Sequence, residues 1–320
     1  MKILKDKTEL GILNGPVALT VGKFDCIHRG HDRILKKLSD KREKGFISLV
    51  FTFSKSPRLL LNAGREDDFH GRNLITNAER AELLAEKGID ILYERPFDEE
   101  FMHMPAEDFV RILSSDFHMK YICVTEDFHF GYGNAGDCSL LQKMAPELGF
   151  EVEVIPLLKD AVGTIISSSL IRSELKEGHI AAVNEMLGYE YFIHGKIVHG
   201  EGMGKRRLSY ATINMLPPDA KLLPKIGVYV TRIQMNGREF FGMTDVGVKP
   251  TVELKERRLG VETHIFDFDG DVYYEEAKVS FLSFMRDEQK FKDLSSLQGQ
   301  LDHDDAAARA FISSYKGPGA

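Results

Sequence analysis

Cysteine is scarce in this chain, and positive charge does not exceed negative. Only Cys26, Cys123 and Cys138 occur in 320 residues. They form no CxxC pair and leave an odd thiol, which argues against a disulfide framework and a cysteine zinc site. A reducing compartment is therefore expected. Lysine and arginine number 42 against 49 acidic residues, a net charge of −7, which argues against nucleic-acid binding through a broad basic face. Any phosphate-bearing ligand has to be held by a local site. No apolar run approaches membrane-spanning length. The opening MKILKDKTELG places Lys5, Asp6, Lys7 and Glu9 where a secretory signal needs an apolar stretch. No internal repeat or low-complexity linker interrupts the chain. The expectation is a cytoplasmic protein whose partners include neither a membrane nor nucleic acid.

What is present suffices for more than one packed core, since 43% of residues are hydrophobic and 21 are Phe. A length of 320 residues suggests two domains. From Pro16 to about Phe150, short apolar runs alternate with helical periods. The runs are Val17 to Val21, Phe46 to Phe53, Ile89 to Tyr93, Tyr121 to Thr125 and Phe150 to Ile155. Amphipathic stretches such as Asp32 to Glu43 and Thr76 to Lys87 lie between them, the second opened by the capping-box pair Thr76 and Glu79. This alternation predicts a parallel α/β sheet with crossover helices. After Gly188 the texture changes to alternating strands with turn signals at Asn236-Gly237 and Asp269-Gly270, which predicts a small antiparallel barrel. Leu294 to Ser314 has helical spacing and should close the fold. The seam is expected near 187 to 191, giving domains of residues 1–187 and 188–320.

The segment VALTVGKFDCIHRGHDRILKKL runs from a strand into a helix and places His28 and His31 on one face of the first turn. Two imidazole donors beside helix N-terminal amides make a cradle for a triphosphate, and Gly30 removes a side chain where phosphate nears the backbone. The alternatives are a histidine pair that packs or is solvated, or a metal site, for which no third ligand is evident. Context favours the phosphate reading, because open α/β sheets bind ligands at the carboxyl ends of their strands. Further on, Ser167, Ser168 and Ser169 precede a helix carrying Arg172, whose charge suits a leaving pyrophosphate. A serine run before a helix is otherwise an ordinary N-cap.

Together these segments resemble a known family. GKFDCIHRGH resembles the GxFDxxHxGH signature of the nucleotidyltransferase superfamily, and ISSSLIR and VTEDFHFGYGNAGD are similar to the ISSTxIR and VGxDFRFGxxxxGD motifs of its flavin branch. In the second half, HGEGMGKRRLSYATINM is similar to the HGxxxGRxLGFPTANL segment of riboflavin kinases. MTDVGVKPTV resembles their VxNIGxRPTV, and VETHIFDFDGDVYYEEAKVSFLSFMRDEQKF resembles their VExHLLDFxxDLYGxxxxVxFLxxLRxExKF. From about Pro16 to Phe311 the chain thus resembles, in order, the bacterial bifunctional riboflavin kinase/FMN adenylyltransferases.

The resemblance implies a Rossmann-like nucleotidyltransferase half followed by a riboflavin kinase barrel with a C-terminal helix. It implies that ATP phosphorylates riboflavin to FMN, and that FMN then attacks a second ATP to give FAD and pyrophosphate. For adenylyl transfer it implies His28, His31 and Arg172 as catalytic groups, with Gly22, Phe24, Asp25, Gly30, Asp127, Phe128, Phe130, Ser167, Ser168 and Ser169 binding substrates. For the kinase it implies Glu262 as general base and Thr212 and Asn214 as ligands to Mg²⁺ and phosphate. It also implies Gly204 and Lys205 at the nucleotide and Arg286 at the flavin. A solvent-facing residue on an alternating strand is the plain alternative for Glu262, and an exposed helix-start arginine for Arg286.

Two departures stand out. The family's Pro-Thr-Ala-Asn is here Ala211-Thr212-Ile213-Asn214, its preceding Gly-Phe is Ser209-Tyr210, the loop from Gly204 to Leu208 is one residue longer, and a bulkier Ile213 could weaken nucleotide binding. After the second strand, Ser54-Lys55-Ser56-Pro57 replaces a PHP-type segment, which puts FMN docking in question. A rival expectation is therefore an FMN adenylyltransferase with a weakened or regulatory kinase-like module. A class I aminoacyl-tRNA synthetase shares the His-x-Gly-His idea, but needs a KMSKS-type loop that SSSLIR does not supply.

Overall fold

The computed structural model describes residues 1–54, 72–198, 212–250, 257–268 and 275–318. Two compact units divide between Ser167 and Ser168.

In the first unit, strands β1 (Lys2–Leu4), β2 (Val17–Val21), β3 (Ile47–Phe53), β4 (Ile91–Arg95), β5 (Met119–Thr125) and β6 (Glu151–Ile155) form one sheet. Its order is β1-β4-β3-β2-β5-β6, and every pairing is parallel. All five residues of β2 are buried, as expected of a central strand covered on both faces. Helices α1 (Arg29–Arg42), α2 (Asn77–Glu86), α3 (Glu99–Met102), α4 (Ala106–Ser115) and α5 (Cys138–Leu148) connect the strands. The expected capping box forms: Glu79 N donates to Thr76 Oγ1 at 3.2 Å, and Thr76 N to the Glu79 carboxylate at 2.8 Å. Phe51 centres the core, with ring centroids of Tyr93, Phe117 and Phe109 at 5.0, 5.5 and 5.7 Å. The chain builds outward from β2 through β3 and β4, then returns to lay β5 on its other side. The carboxyl ends of β2 and β5 therefore flank the point where strand order reverses, the usual ligand crevice of such sheets.

The second unit opens with α6 (Ser168–Glu177) and α7 (Ile180–Leu187). A closed antiparallel barrel follows, built from β7 (Phe192–Val198), β8 (Thr212–Leu216), β9 (Gly227–Met235), β10 (Arg238–Pro250), β11 (Arg257–Ile265) and β12 (Glu276–Arg286). Its order is β10-β11-β8-β7-β12-β9, with β9 pairing back to β10. The Asn236-Gly237 turn joins β9 to β10 with φ of 51° and 69°, both in the left-handed region that an Asn-Gly hairpin turn requires. Asp269-Gly270 lies outside the described residues. Inside the barrel, the hydroxyls of Thr231, Thr244 and Thr263 link in a chain at 2.7 and 2.8 Å, so these buried polar atoms satisfy one another. Helix α8 (Leu294–Ser314) spans the expected range.

Two details were not foreseen. The edge strand β1 has three residues, too few to show a period. Helices α6 and α7 group with the barrel. Part of the reason is Asn184 on α7, which donates to the Phe281 carbonyl at 2.8 Å and accepts from Tyr191 N at 2.7 Å.

Candidate active sites

At the end of β2 the chain makes a tight turn. Gly22 N donates to Phe51 O at 3.1 Å, one last ladder bond, and Phe24 then takes a left-handed φ of 45°. Non-glycine residues adopt that conformation only when their surroundings enforce it. The buried Phe24 ring lies 4.8 Å from that of His31, and the Asp25 carbonyl accepts from Ile75 N at 3.2 Å.

His28 is 8% exposed and caps α1. Its Nδ1 accepts from Gly30 N at 3.1 Å and His31 N at 3.4 Å, while His31 Nδ1 accepts from His28 N at 3.4 Å. The two rings stack with centroids 3.9 Å apart. A Cβ on Gly30 would fall 2.9 Å from the His28 ring, so this glycine makes room for an imidazole. Two helix amides counted from the sequence as anion donors are thus taken by the His28 side chain. What remains for a ligand at His28 is the ring edge, since a neutral imidazole accepting at Nδ1 carries its proton at Nε2, whereas the His31 ring also hydrogen-bonds the Cys26 backbone. Burial brings the His28 pKa down to about 4. Burial, reinforced by His28 alongside, holds His31 well below the ordinary imidazole range. Both rings are neutral N–H donors at neutral pH.

Asp127, Phe128 and Phe130 follow β5, the neighbour of β2. The Thr125 hydroxyl donates to Asp127 Oδ1 at 2.6 Å. Phe128 stacks on buried Phe130 at 5.3 Å. The Phe130 and Gly136 backbones exchange hydrogen bonds of 3.0 and 2.9 Å that close the loop. Ser167 ends the first unit, whereas Ser168, Ser169 and buried Arg172 belong to α6 of the second.

The second cluster lies on the barrel. Across β10, β11 and β8 the register aligns Asp245 with Glu262 and Glu262 with Asn214, and pairs His264 with Thr212. The Thr212 hydroxyl donates to Glu262 Oε1 at 2.7 Å. Glu262 is half-buried and hydrogen-bonded, and its carboxylate faces the same way as Thr212 and Asn214. Ile213 and Met215 alternate with these on β8 and are buried, on the opposite face of the strand. The polar face is rich in oxygen donors, the chemistry that suits Mg²⁺. Among the described residues no group of three or more His, Cys, Asp or Glu is placed to hold a metal ion. Gly204, Lys205 and Ala211 lie outside the described residues.

Arg286 ends β12 and is not exposed at a helix start. Its Nε donates to Asp304 Oδ2 at 2.8 Å, and Gln300 Nε2 donates to Asp304 Oδ1 at 2.8 Å, both from α8. The pair lines a groove of about 280 Å³ with Val230, Met285 and Phe311. No sequence signal singles out Asp304, one of several acidic residues on a helix.

The FAD synthetase family model matches residues 13–170, and the riboflavin kinase family model matches residues 187–312. The chain is 30% identical over 295 residues to a bifunctional riboflavin kinase/FMN adenylyltransferase of Listeria monocytogenes, spanning 92% of both chains. This chain belongs to that bifunctional family. The bifunctional riboflavin kinase/FMN adenylyltransferase of Escherichia coli K12 is 31% identical over 297 residues, again across 92% of both chains. A crystal structure described as a macrolide-efflux protein from Streptococcus pneumoniae superposes with a TM-score of 0.82 at 27% identity, covering 96% of this chain and 97% of that one. Among the described residues of this family member, no helix is long and apolar enough to cross a membrane.

Proposed function

We propose that the chain converts riboflavin to FMN and FMN to FAD, using one ATP in each step, in the cytoplasm. The functional seam is placed at 187/188, later in the chain than the compact one. The observation that carries this reading is that both family matches, over 13–170 and 187–312, contain an assembled cluster of chemically suitable side chains.

In the adenylyl-transfer half, the FMN phosphate is already anionic and needs no base or covalent intermediate. It attacks the α-phosphate of ATP and pyrophosphate leaves, so positioning and hydrogen-bond donors supply the catalysis. His28 and His31 are assigned as the hydrogen-bond donors to the nucleotide phosphates. Because both rings are neutral, they stabilise developing charge by direct donation rather than as imidazolium cations. Ser168, Ser169 and Arg172 are assigned to the leaving pyrophosphate, and the Asp127 to Phe130 loop to the flavin.

In the barrel, Glu262 accepts the proton of the ribityl 5′-hydroxyl as that oxygen attacks the γ-phosphate of ATP, whose bond to the β,γ-bridging oxygen breaks to release ADP. Thr212 orients the carboxylate through its 2.7 Å hydrogen bond. Thr212 and Asn214 would hold Mg²⁺, which when bound offsets charge on the transferring phosphoryl group. Arg286 is assigned to the flavin.

The test is incubation of the pure protein with riboflavin, ATP and Mg²⁺, with chromatographic separation of the flavins. FMN followed by FAD is expected. FAD from supplied FMN but none from riboflavin would support a weakened kinase module instead, and no flavin turnover at all overturns both.

A further inference from the structure

Beneath the turn that carries the histidines lies a buried network that the mechanism above does not use. Thr52 on β3 is fully buried, and its hydroxyl donates to the Lys23 carbonyl at 3.0 Å. Arg80 on α2 is 5% exposed and reaches the same carbonyl through Nη1 at 3.4 Å. Its Nη2 meets the Phe53 carbonyl at 3.3 Å, Asn77 Oδ1 at 3.0 Å and Glu94 Oε1 at 2.5 Å. Glu94, on β4, is 6% exposed. Asn77 in turn donates to the Ser54 carbonyl at 3.0 Å.

A buried ion pair is poor evidence of a stability role, since apolar residues of similar volume often serve as well or better. What this one grips is more informative. Its acceptors are main-chain carbonyls at the carboxyl ends of two adjacent strands, and one belongs to the peptide leading into Phe24. That peptide is where the chain adopts its left-handed φ of 45°, and Phe24 is the ring against His31. A conformation of this kind relaxes unless the surrounding structure over-determines it. Two donors on one carbonyl provide that constraint. The planar fork of an arginine reaches several carbonyls at once, which a lysine ammonium on a flexible stem does not reproduce.

We propose that Thr52 and Arg80 are positioning residues for adenylyl transfer, fixing the Lys23–Phe24 peptide so that Phe24 seats His31, and through it His28, in register with the nucleotide phosphates. The proposal rests on the assignment of the two histidines to that reaction. Neither residue touches substrate. Their effect is on kcat, because a small displacement of a donor matters most where charge develops.

The full-length chain provides its own control, since riboflavin phosphorylation is measured in the same sample. Thr52→Val keeps volume and removes the hydroxyl, Thr52→Ser keeps the hydroxyl, and Arg80→Lys keeps the charge while losing the fork. Thr52→Val and Arg80→Lys are expected to lower kcat for FMN adenylylation by about tenfold to a hundredfold, with KM for ATP changed little and phosphorylation at the parental rate. Thr52→Ser should recover most of the kcat. A merely structural role would lower the melting temperature while leaving kcat, assayed well below the melt, at the parental value. That outcome overturns the proposal, as does equal loss in Thr52→Val and Thr52→Ser. His31→Ala separates the two readings: parental FAD formation in that variant removes the site assignment and this proposal together. An inactive His31→Ala beside parental kcat in both Thr52→Val and Arg80→Lys removes the positioning role alone.

Discussion

Glu262 accepts a 2.7 Å hydrogen bond from the Thr212 hydroxyl across the β8–β11 pair. Asn214 stands opposite Glu262 in the same register, so the groups assigned to base and phosphate chemistry share one small face of the barrel. Removing the base should cost the kinase step about a hundredfold to ten-thousandfold. Glu262→Gln is expected to abolish most FMN formation from riboflavin while FAD formation from supplied FMN continues, as read by flavin chromatography. Equal loss of both activities would point to misfolding.

His28 and His31 should matter to the other half-reaction alone. Alanine at either position removes an aimed donor and is expected to lower FMN adenylylation on the order of a hundredfold, followed as pyrophosphate release. Riboflavin phosphorylation by the same variants should be unchanged.

The buried histidines also set a pH dependence. In the fold, His28 titrates at about 4, whereas in the unfolded chain it protonates near 6.5. Below that value the unfolded chain binds the extra proton, so stability is full above about pH 7.5 and falls as pH drops from 6.5 toward 4. His28 alone contributes a loss of about 3 kcal/mol across this window, and His31 acts in the same direction. Urea midpoints for the first unit should therefore drop between pH 7 and 5, and the imidazole resonances of both residues should stay in their neutral form at pH 5.5.

Ile213 is 8% exposed and lies on the face of β8 opposite Thr212 and Asn214. Its bulk is taken up by barrel packing, away from the polar face. Ile213→Ala is then expected to cost about 2–4 kcal/mol of stability through the cavity it leaves, with KM for ATP in the kinase step unchanged. A lower KM in that variant would show that the isoleucine does crowd the nucleotide.

Asp304 holds Arg286 from α8, through Nε and through Nη2 at 2.7 Å. Asp304→Asn leaves a largely buried guanidinium without its counter-charge, which should destabilise the second unit by at least about 2 kcal/mol and raise the KM for riboflavin. Gln300→Ala, which removes only the outer bond to Asp304, should be mild in both assays.

Local signals made much of this legible from sequence. The capping box at Thr76, the Asn236-Gly237 turn and the spacing of α8 each operate over a few residues, and all three form. The His28 and His31 pair was visible for the same reason. What sequence did not reveal was what distant segments do to those residues. Nothing in the string shows that the His28 ring consumes two helix amides, because that depends on its rotamer. Thr52 and Arg80 lie 28 positions apart and meet only at the Lys23 carbonyl. Arg80 looks like any polar residue of an amphipathic helix, and Thr52 like any β-branched residue of a strand. The grouping of α6 and α7 with the barrel rests in part on Lys225 N reaching the Leu175 carbonyl and Asn184 reaching that of Phe281, contacts with no local signature.

The barrel closes through its last strand. β12 pairs on one side with β7 and on the other with β9, so neither neighbour is complete until Glu276–Arg286 is available. During synthesis, both β7 and β9 present an open edge while most of the chain already exists, and open edges recruit other strands. Closure therefore pairs β7 with a strand far along the chain, the kind of long-range step that slows folding. Translation that stalls before β12 leaves the barrel as an open sheet, and this truncated species is the one expected to aggregate or to need a chaperone.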